Sequence, residues 1–287
     1  MLEKARGIAA RARCATAKVR NMSPIIINDP FDPRIAAYRD IRERDLTRRN
    51  GQFVAEGEVV LNILTSAASL CRPISVLIDS RRFEGLQPVL QALDADVPVY
   101  AASQPVLDAI AGFHLHRGIL ALGAKPGPID AGSFLSALTD RSTVVVACGI
   151  GNHDNMGGIF RSAAAFGADG VILDERCCDP FYRKAIRVSV GAVLRTPIVA
   201  MGAAEQIVDR LLHQGVDVVA MTPSAEEPLG AARRNGPTAI VLGSEGPGLD
   251  PSVIARCRAV SIPMSGGFDS LNVATAGAIA LHHFTRA

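Results

Sequence analysis

Short apolar runs alternate with helix-period segments twice along this chain. In the first pass FVAEGE leads into a helix over about 57–68, followed by ISVLID, a helix near 86–93, VPVY, a helix near 103–110 with Ser103 at its N-cap position, and GILAL. KPGPIDAG (125–132), with two prolines and two glycines, interrupts the pattern and reads as a linker. The second pass starts at TVVVAC (143–148). It continues with a helix over 156–166, VIL at 171–173, a helix over 182–190, PIVA, a helix over 203–214, VDVVAM, TAIVL, AVSIP and a final helix over 270–285. Strands that are apolar on both faces and alternate with helices predict a mostly parallel sheet covered on both sides, so the fold class is α/β. The expected organisation is a basic extension over 1–24, a smaller αβ domain over 25–124, a linker over 125–141 and a larger α/β domain over 142–287.

Composition narrows the function classes. The chain has 287 residues, a formal net charge of +2, no tryptophan and few aromatics, which favours α/β layers over an all-β sandwich. Bulk charge does not make it a polyanion binder, so RNA or DNA would need a local basic face. Candidates are Arg42, Arg44, Arg48 and Arg49 in the first half and Arg183, Lys184 and Arg187 in the second, with a solvated helix face as the alternative for each group. The cysteines at 14, 71, 148, 177, 178 and 257 have no CxxC spacing, which fits a reducing cytoplasm. No apolar run approaches the roughly 20 residues of a membrane span. Residues 1–22 carry six Lys/Arg against Glu3 alone. They read as a transit-type segment, as a basic arm touching RNA, or as an extension ahead of a start at Met22.

The densest chemistry lies in the last 50 residues. IVLGSEGPGL (240–249) and VSIPMSGGFDSLNV (260–273) each begin as a buried strand and break into glycines and small polar residues. Two such loops at adjacent strand ends would make a pocket walled by main chain, suited to an adenosine-containing cofactor whose base edge pairs with backbone groups. In GIGNHDNMGGIFRSAAAFG, Asp154 and Asn155 are expected to precede a helix that carries Arg161. Arg161 is offset from Asn155 by about 240° around a helix axis, so the two share a site only if Asn155 sits just outside the helix. Taken alone, Asn155 reads as an N-cap and Arg161 as a solvated arginine. A dinucleotide fingerprint fails because Asp154 stands where glycine is required, and neither a GK[ST] loop nor a GxSxG elbow occurs. His114/His116 and His282/His283 lack a carboxylate or cysteine at ligand spacing, so no metal is expected.

Three stretches in order, NHDNMGGIFRSAAAFG, VLGSEGPGL and IPMSGGFDSLNVATAGAIAL, resemble the three motifs of the SpoU/TrmH branch of the SPOUT RNA methyltransferases. YRKAIRVSVGAVLRTPI (182–198) is similar to the RxSxGA segment between motifs one and two. FVAEGEVVL and HRGILAL resemble the F-x-x-E-G opening and the QG-I-x-A close of the family's L30e/L7Ae-like substrate-binding domain. Two departures stand out: Arg117 replaces the usual glutamine, and NHDN stands where D-P-x-N is more common.

The resemblance implies a C-terminal SPOUT α/β domain with a trefoil knot, a homodimer, and S-adenosylmethionine framed by Leu242, Gly243, Gly246, Ile262, Met264 and Leu271. It implies that Asn155, Arg161, Glu245, Ser270 and Asn272 line the reacting end, although Ser270 also reads as a cap of the last helix and Glu245 as a loop closure. The implied reaction is methyl transfer to a ribose 2′-hydroxyl in structured RNA, tRNA or rRNA, in the cytoplasm, with neither metal nor membrane involved. A non-catalytic RNA-binding module of the same fold and a base methyltransferase remain the alternatives.

Overall fold

The structure, a computed structural model, describes residues 23–39, 51–112, 114–266 and 269–286. Contacts divide the chain into two units. Unit 1 takes its described residues from the stretch ending at Pro126 and from Phe181–Arg195; unit 2 is Gly127–Pro180 with Thr196–Ala287. This division departs from the expected boundaries in two respects: residues 127–141 of the expected linker belong to unit 2, and one segment of the expected second domain does not. The RxSxGA-like segment, expected inside the 142–287 domain, packs with unit 1.

Unit 1 is built on a five-stranded mixed sheet. Its strands are β1 (Ile25–Ile27), β2 (Gln52–Glu56), β3 (Arg72–Asp79), β4 (Val99–Ala102) and β5 (Ile119–Ala124), in the order β1-β4-β3-β5-β2. β4 runs parallel to β1 and β3, whereas β5 is antiparallel to both β2 and β3. The helices α1 (Glu58–Thr65), α2 (Phe83–Leu90) and α3 (Gln104–Ala111) fall close to where the periodicity places them. Ser103 occupies the N-cap of α3 but makes no side-chain capping bond. Tyr38 is buried in the core, its hydroxyl 2.7 Å from Ser75 Oγ and accepting from Leu122 N–H at 3.2 Å, so its polar tip is satisfied.

Four elements make up the early part of the unit 2 chain. The stretch expected to be a plain linker contains α4 (Ala131–Ser136), capped by Asp130, which accepts from Ser133 N–H at 2.7 Å. β6 (Thr143–Ala147) then enters the sheet, followed by α5 (His153–Phe166) and β7 (Gly170–Leu173).

The chain next contributes α6 (Arg183–Val188) to unit 1, where it packs on β2. The turn after α6 carries Val190 at φ 55°, a left-handed conformation that a β-branched residue rarely adopts. A Cβ on the following Gly191 would lie 3.0 Å from Ile63 Cδ1 of α1, so glycine permits this close seating.

Returning to unit 2, the chain forms β8 (Ile198–Ala200), α7 (Ala204–His213), β9 (Asp217–Met221), β10 (Thr238–Leu242), α8 (Pro251–Ile254), β11 (Arg258–Val260) and α9 (Val273–Arg286). Its six-stranded sheet has the order β11-β9-β10-β6-β7-β8, and each pairing is parallel. The strands are apolar on both faces, as a sheet covered on both sides requires. One core layer gathers Val144, Val146, Ile172, Val199, Val218 and Val241 with Ile207, Val208 and Leu211 of α7.

Candidate active site

Four neighbouring parallel strands, β11, β9, β10 and β6, send their C-terminal ends to one edge of the unit 2 sheet, where loops of an open α/β sheet gather a ligand. Leu242 is in register with Ala147, and Cys148 N–H donates to Leu242 O at 2.9 Å. The glycine loop after β10 and the loop after β6 therefore leave the sheet side by side. β10 and β11, expected to be adjacent, are separated by β9. That intervening strand adds Met221, Thr222, Pro223 and Ser224 to the cavity rim, residues the sequence reading did not single out.

The cavity has a volume of about 650 Å3. Leu242, Gly243, Glu245, Gly246, Ile262, Met264, Ser270, Leu271 and Asn272, all singled out from sequence, line it. At Gly243 a Cβ would come within 2.4 Å of Gly248 C and Leu249 N, so the loop closes on itself only with glycine there. Gly246 and Gly248 adopt φ of 83° and 72°, and Gly248 N–H returns to Ser244 O at 3.1 Å. The loop is a self-bonded turn that presents backbone to the cavity.

α9 reaches this edge because small residues let it approach. A Cβ on Gly158 of α5 would meet Ala274 Cβ at 2.7 Å, and one on Gly277 would meet Leu242 Cδ1 at 2.7 Å. The far end of α9 is held by Arg234, which donates to Phe284 O at 2.8 Å, Ser142 O at 2.6 Å and Thr143 Oγ1 at 2.9 Å. His283 Nε2 donates to Ala232 O at 2.7 Å.

At the near end, Asn272 does two things. Its Oδ1 accepts from Ala274 N–H at 3.0 Å and Thr275 N–H at 3.3 Å, capping the helix. Its Nδ2 donates to Asn155 Oδ1 at 2.8 Å and Glu245 Oε1 at 3.3 Å. The cap of the last helix is thus Asn272, not Ser270, which is exposed on the preceding loop.

Asn155 also departs from expectation. It lies inside α5 and is 5% exposed, while the N-cap is Asn152, which accepts from Asp154 N–H at 2.8 Å. The condition for Asn155 and Arg161 to converge is therefore not met. They flank the stripe through Gly158, each about 60° away around the axis. Arg161 is exposed and makes no hydrogen bond or ion pair among the described residues.

A clamp behind the site fixes the start of α5. Gly149, at φ 65°, donates its N–H to both oxygens of Asp174 at 3.0 Å. Asp174 is buried at the end of β7 and also accepts from Arg176 N–H at 3.1 Å. Ile150 N–H donates to Cys177 Sγ at 3.4 Å, and Ile150 O accepts from Cys178 N–H at 2.8 Å. Burial pushes the Cys177 thiol up to about 12 and raises Cys148 as well.

The basic candidates fall elsewhere. Arg183 belongs to unit 1, its Nη1 3.6 Å from the buried Glu56 carboxylate, with Lys184 and Arg187 exposed on the same helix. Arg42, Arg44, Arg48 and Arg49 lie outside the described residues. Among the described residues no group of His, Cys, Asp or Glu could hold a metal ion, and no helix is long and apolar enough to cross a membrane.

Comparison with known proteins identifies the family. Residues 142–282 match the SpoU rRNA Methylase family. A Mycobacterium tuberculosis protein named as an uncharacterized tRNA/rRNA methyltransferase is 37% identical over 269 residues, covering 90% of each chain. A solved RNA 2′-O ribose methyltransferase is similar with a TM-score of 0.73 and 26% identity, covering 91% of this chain and 98% of its own. An AdoMet-bound rRNA methyltransferase from Sinorhizobium meliloti shares the fold at a TM-score of 0.73 and 24% identity, covering 91% of this chain and 97% of its own. With its parallel α/β sheet and its extended match to these relatives, the chain belongs to the SpoU family of RNA methyltransferases.

Proposed function

We propose that this protein transfers the methyl group of S-adenosylmethionine to a ribose 2′-hydroxyl of structured RNA, tRNA or rRNA. The observation that carries the reading is the Asn155–Asn272–Glu245 network, set at the rim of a cavity walled by glycine loops. A volume of about 650 Å3 suits a nucleoside-sized ligand. Leu242, Ile262, Met264 and Leu271 offer apolar contacts to an adenosine, and the Gly243–Gly246 turn offers backbone groups to its polar edges. When bound, the cofactor supplies an electrophilic methyl on a sulfonium.

The remaining work falls to this chain's own residues. A ribose hydroxyl is a poor nucleophile until its proton leaves, so the site must stabilise a developing alkoxide. Arg161, exposed on α5 and outside the cavity lining, meets the substrate from its own face of the helix, as a permanent cation that clamps the adjoining phosphate; a guanidinium that stays charged is no proton acceptor, and the proton passes to phosphate or water. Ser270 Oγ orients the hydroxyl, while Asn272, its amide committed to the α9 cap, Asn155 and Glu245, holds the adjoining loop in place. Asn155, with its Oδ1 engaged by Asn272, positions that side chain.

The same reading gives unit 2 a trefoil knot through which the last helix threads, and makes the molecule a cytoplasmic homodimer. Unit 1 serves as an L30e/L7Ae-like RNA-binding domain, with Arg183, Lys184 and Arg187 along the RNA backbone. Sedimentation at micromolar concentration tests the dimer, a monomer counting against it.

The test of the function is incorporation of labelled methyl into undermodified RNA by the wild-type chain and by Arg161→Ala. Incorporation by the wild type, and none by a variant that still binds cofactor, supports the reading. Cofactor binding lost in Arg161→Ala would make that residue structural. A wild-type chain that binds neither cofactor nor methylates RNA would be a non-catalytic RNA-binding module.

A further inference from the structure

The described residues lining the cavity include two with formal charge, Glu245 and Asp269, and both are carboxylates. No lysine, arginine or histidine is among them. Glu245 is tied to Asn272 Nδ2 at 3.3 Å. Asp269 is exposed, lies on the loop that leads into Ser270 and Leu271, and has no hydrogen-bonding or ionic partner among the described residues. Net negative charge and a free carboxylate, in a cavity otherwise lined by glycines, apolar side chains, hydroxyls and the Asn272 amide, select for a cation.

This bears on the cofactor before and after transfer. Breaking the sulfonium's S–CH3 bond and forming O–CH3 on the ribose returns the bonding pair to sulfur, leaving a neutral thioether. The adenosine and the amino-acid end are the same in both species. They differ by one methyl and one positive charge, and only the charge responds to a carboxylate at a distance.

We infer that Asp269, together with Glu245, makes this cavity discriminate the sulfonium cofactor from its thioether product, so that loss of charge on transfer itself favours exchange of product for fresh cofactor. The inference rests on the proposed use of S-adenosylmethionine. A carboxylate within about 5 Å of the sulfonium, in a site open to water, is worth about fivefold in affinity and is weakened by salt.

Titration calorimetry with S-adenosylmethionine and S-adenosylhomocysteine, on wild type, Asp269→Asn and Asp269→Glu, decides the matter. Because Asp269 is exposed, the near-isosteric Asp269→Asn is expected to fold, which its unchanged melting temperature would confirm. The expected result is about fivefold weaker binding of the sulfonium by Asp269→Asn, thioether affinity unchanged within twofold, and the preference restored in Asp269→Glu. Equal weakening of both ligands would place Asp269 on the shared ammonium end and overturn the inference, as would no change in either. Those outcomes presuppose wild-type binding; a wild type that binds neither ligand would overturn the cofactor reading itself.

Discussion

Asn272 Nδ2 donates to Asn155 Oδ1 at 2.8 Å, joining residues 117 positions apart, while the same side chain's Oδ1 caps α9 through Ala274 and Thr275. One amide thus fixes the start of the last helix and the orientation of a buried polar group on α5. The two roles separate by substitution. Asn272→Ala removes the cap, at about 1 kcal/mol, and leaves the buried Asn155 oxygen unpaired, at about 1–3 kcal/mol. Asn272→Asp keeps the capping oxygen but loses the donor and sets a carboxylate beside Glu245. Denaturant unfolding is expected to show the larger loss in Asn272→Ala, with methyl transfer abolished in both. Full activity in Asn272→Asp would mean that the bridge to Asn155 serves stability alone.

The strand pattern and the three motifs made much of unit 2 legible. β10, for example, spans Thr238–Leu242, as TAIVL predicts, and α5 ends at Phe166 as expected. The order of strands was not legible, because periodicity reports burial and not neighbours. So β9 entered between β10 and β11 unannounced, and with it the rim from Met221 to Ser224. The start of α5 was misplaced for a different reason. Asn152 and Asn155 are both credible caps, and only the hydrogen bond from Asp154 N–H selects the earlier one. The placement of 181–195 in unit 1 depends on contacts such as Gly191 against Ile63, far apart in sequence.

The glycines of the loop after β10 are not equivalent. Gly243→Ala places a methyl 2.4 Å from two backbone atoms, which cannot give way without opening the turn. Gly246→Ala meets nothing within 4 Å and bears only the cost of φ 83°, about 1–2 kcal/mol. Calorimetry is expected to find cofactor binding lost in Gly243→Ala and largely kept in Gly246→Ala. Equal affinities in the two variants would show that closure of this turn does not shape the cavity.

Asp174 touches no cavity residue in the hydrogen-bond pattern, yet it holds the loop that launches α5. Asp174→Ala leaves Gly149 N–H without its acceptor, costing about 1–3 kcal/mol. Displacement of Asn155 by as little as about 1 Å would slow transfer by up to roughly 100-fold. Asp174→Asn, which retains one acceptor oxygen, is expected to recover part of both losses. The discriminating readout is kcat, with cofactor affinity preserved; a fall in cofactor affinity with unchanged kcat would contradict the positioning role.

Three half-buried thiols, Cys177 and Cys178 beside this loop and Cys257 before β11, are held protonated. Burial pushes Cys177 up to about 12, and Cys178 and Cys257 up to about 11. A thiol raised by two or more pKa units is protonated at pH 8, and its reactive thiolate falls by roughly 100-fold. Iodoacetamide labelling followed by mass spectrometry should therefore modify these three slowly in the native protein and quickly after unfolding. Fast native labelling of Cys177 would show that its contact with Ile150 opens readily.

The central claim is the position of the methyl group. Undermodified total RNA should be treated with the protein and labelled S-adenosylmethionine, then hydrolysed in alkali, which cannot cleave next to a 2′-O-methylated ribose. The account predicts label in alkali-resistant dinucleotides that release a 2′-O-methyl nucleoside on enzymatic digestion. Label recovered in mononucleotides that carry a methylated base would contradict it and make the protein a base methyltransferase built on the same fold.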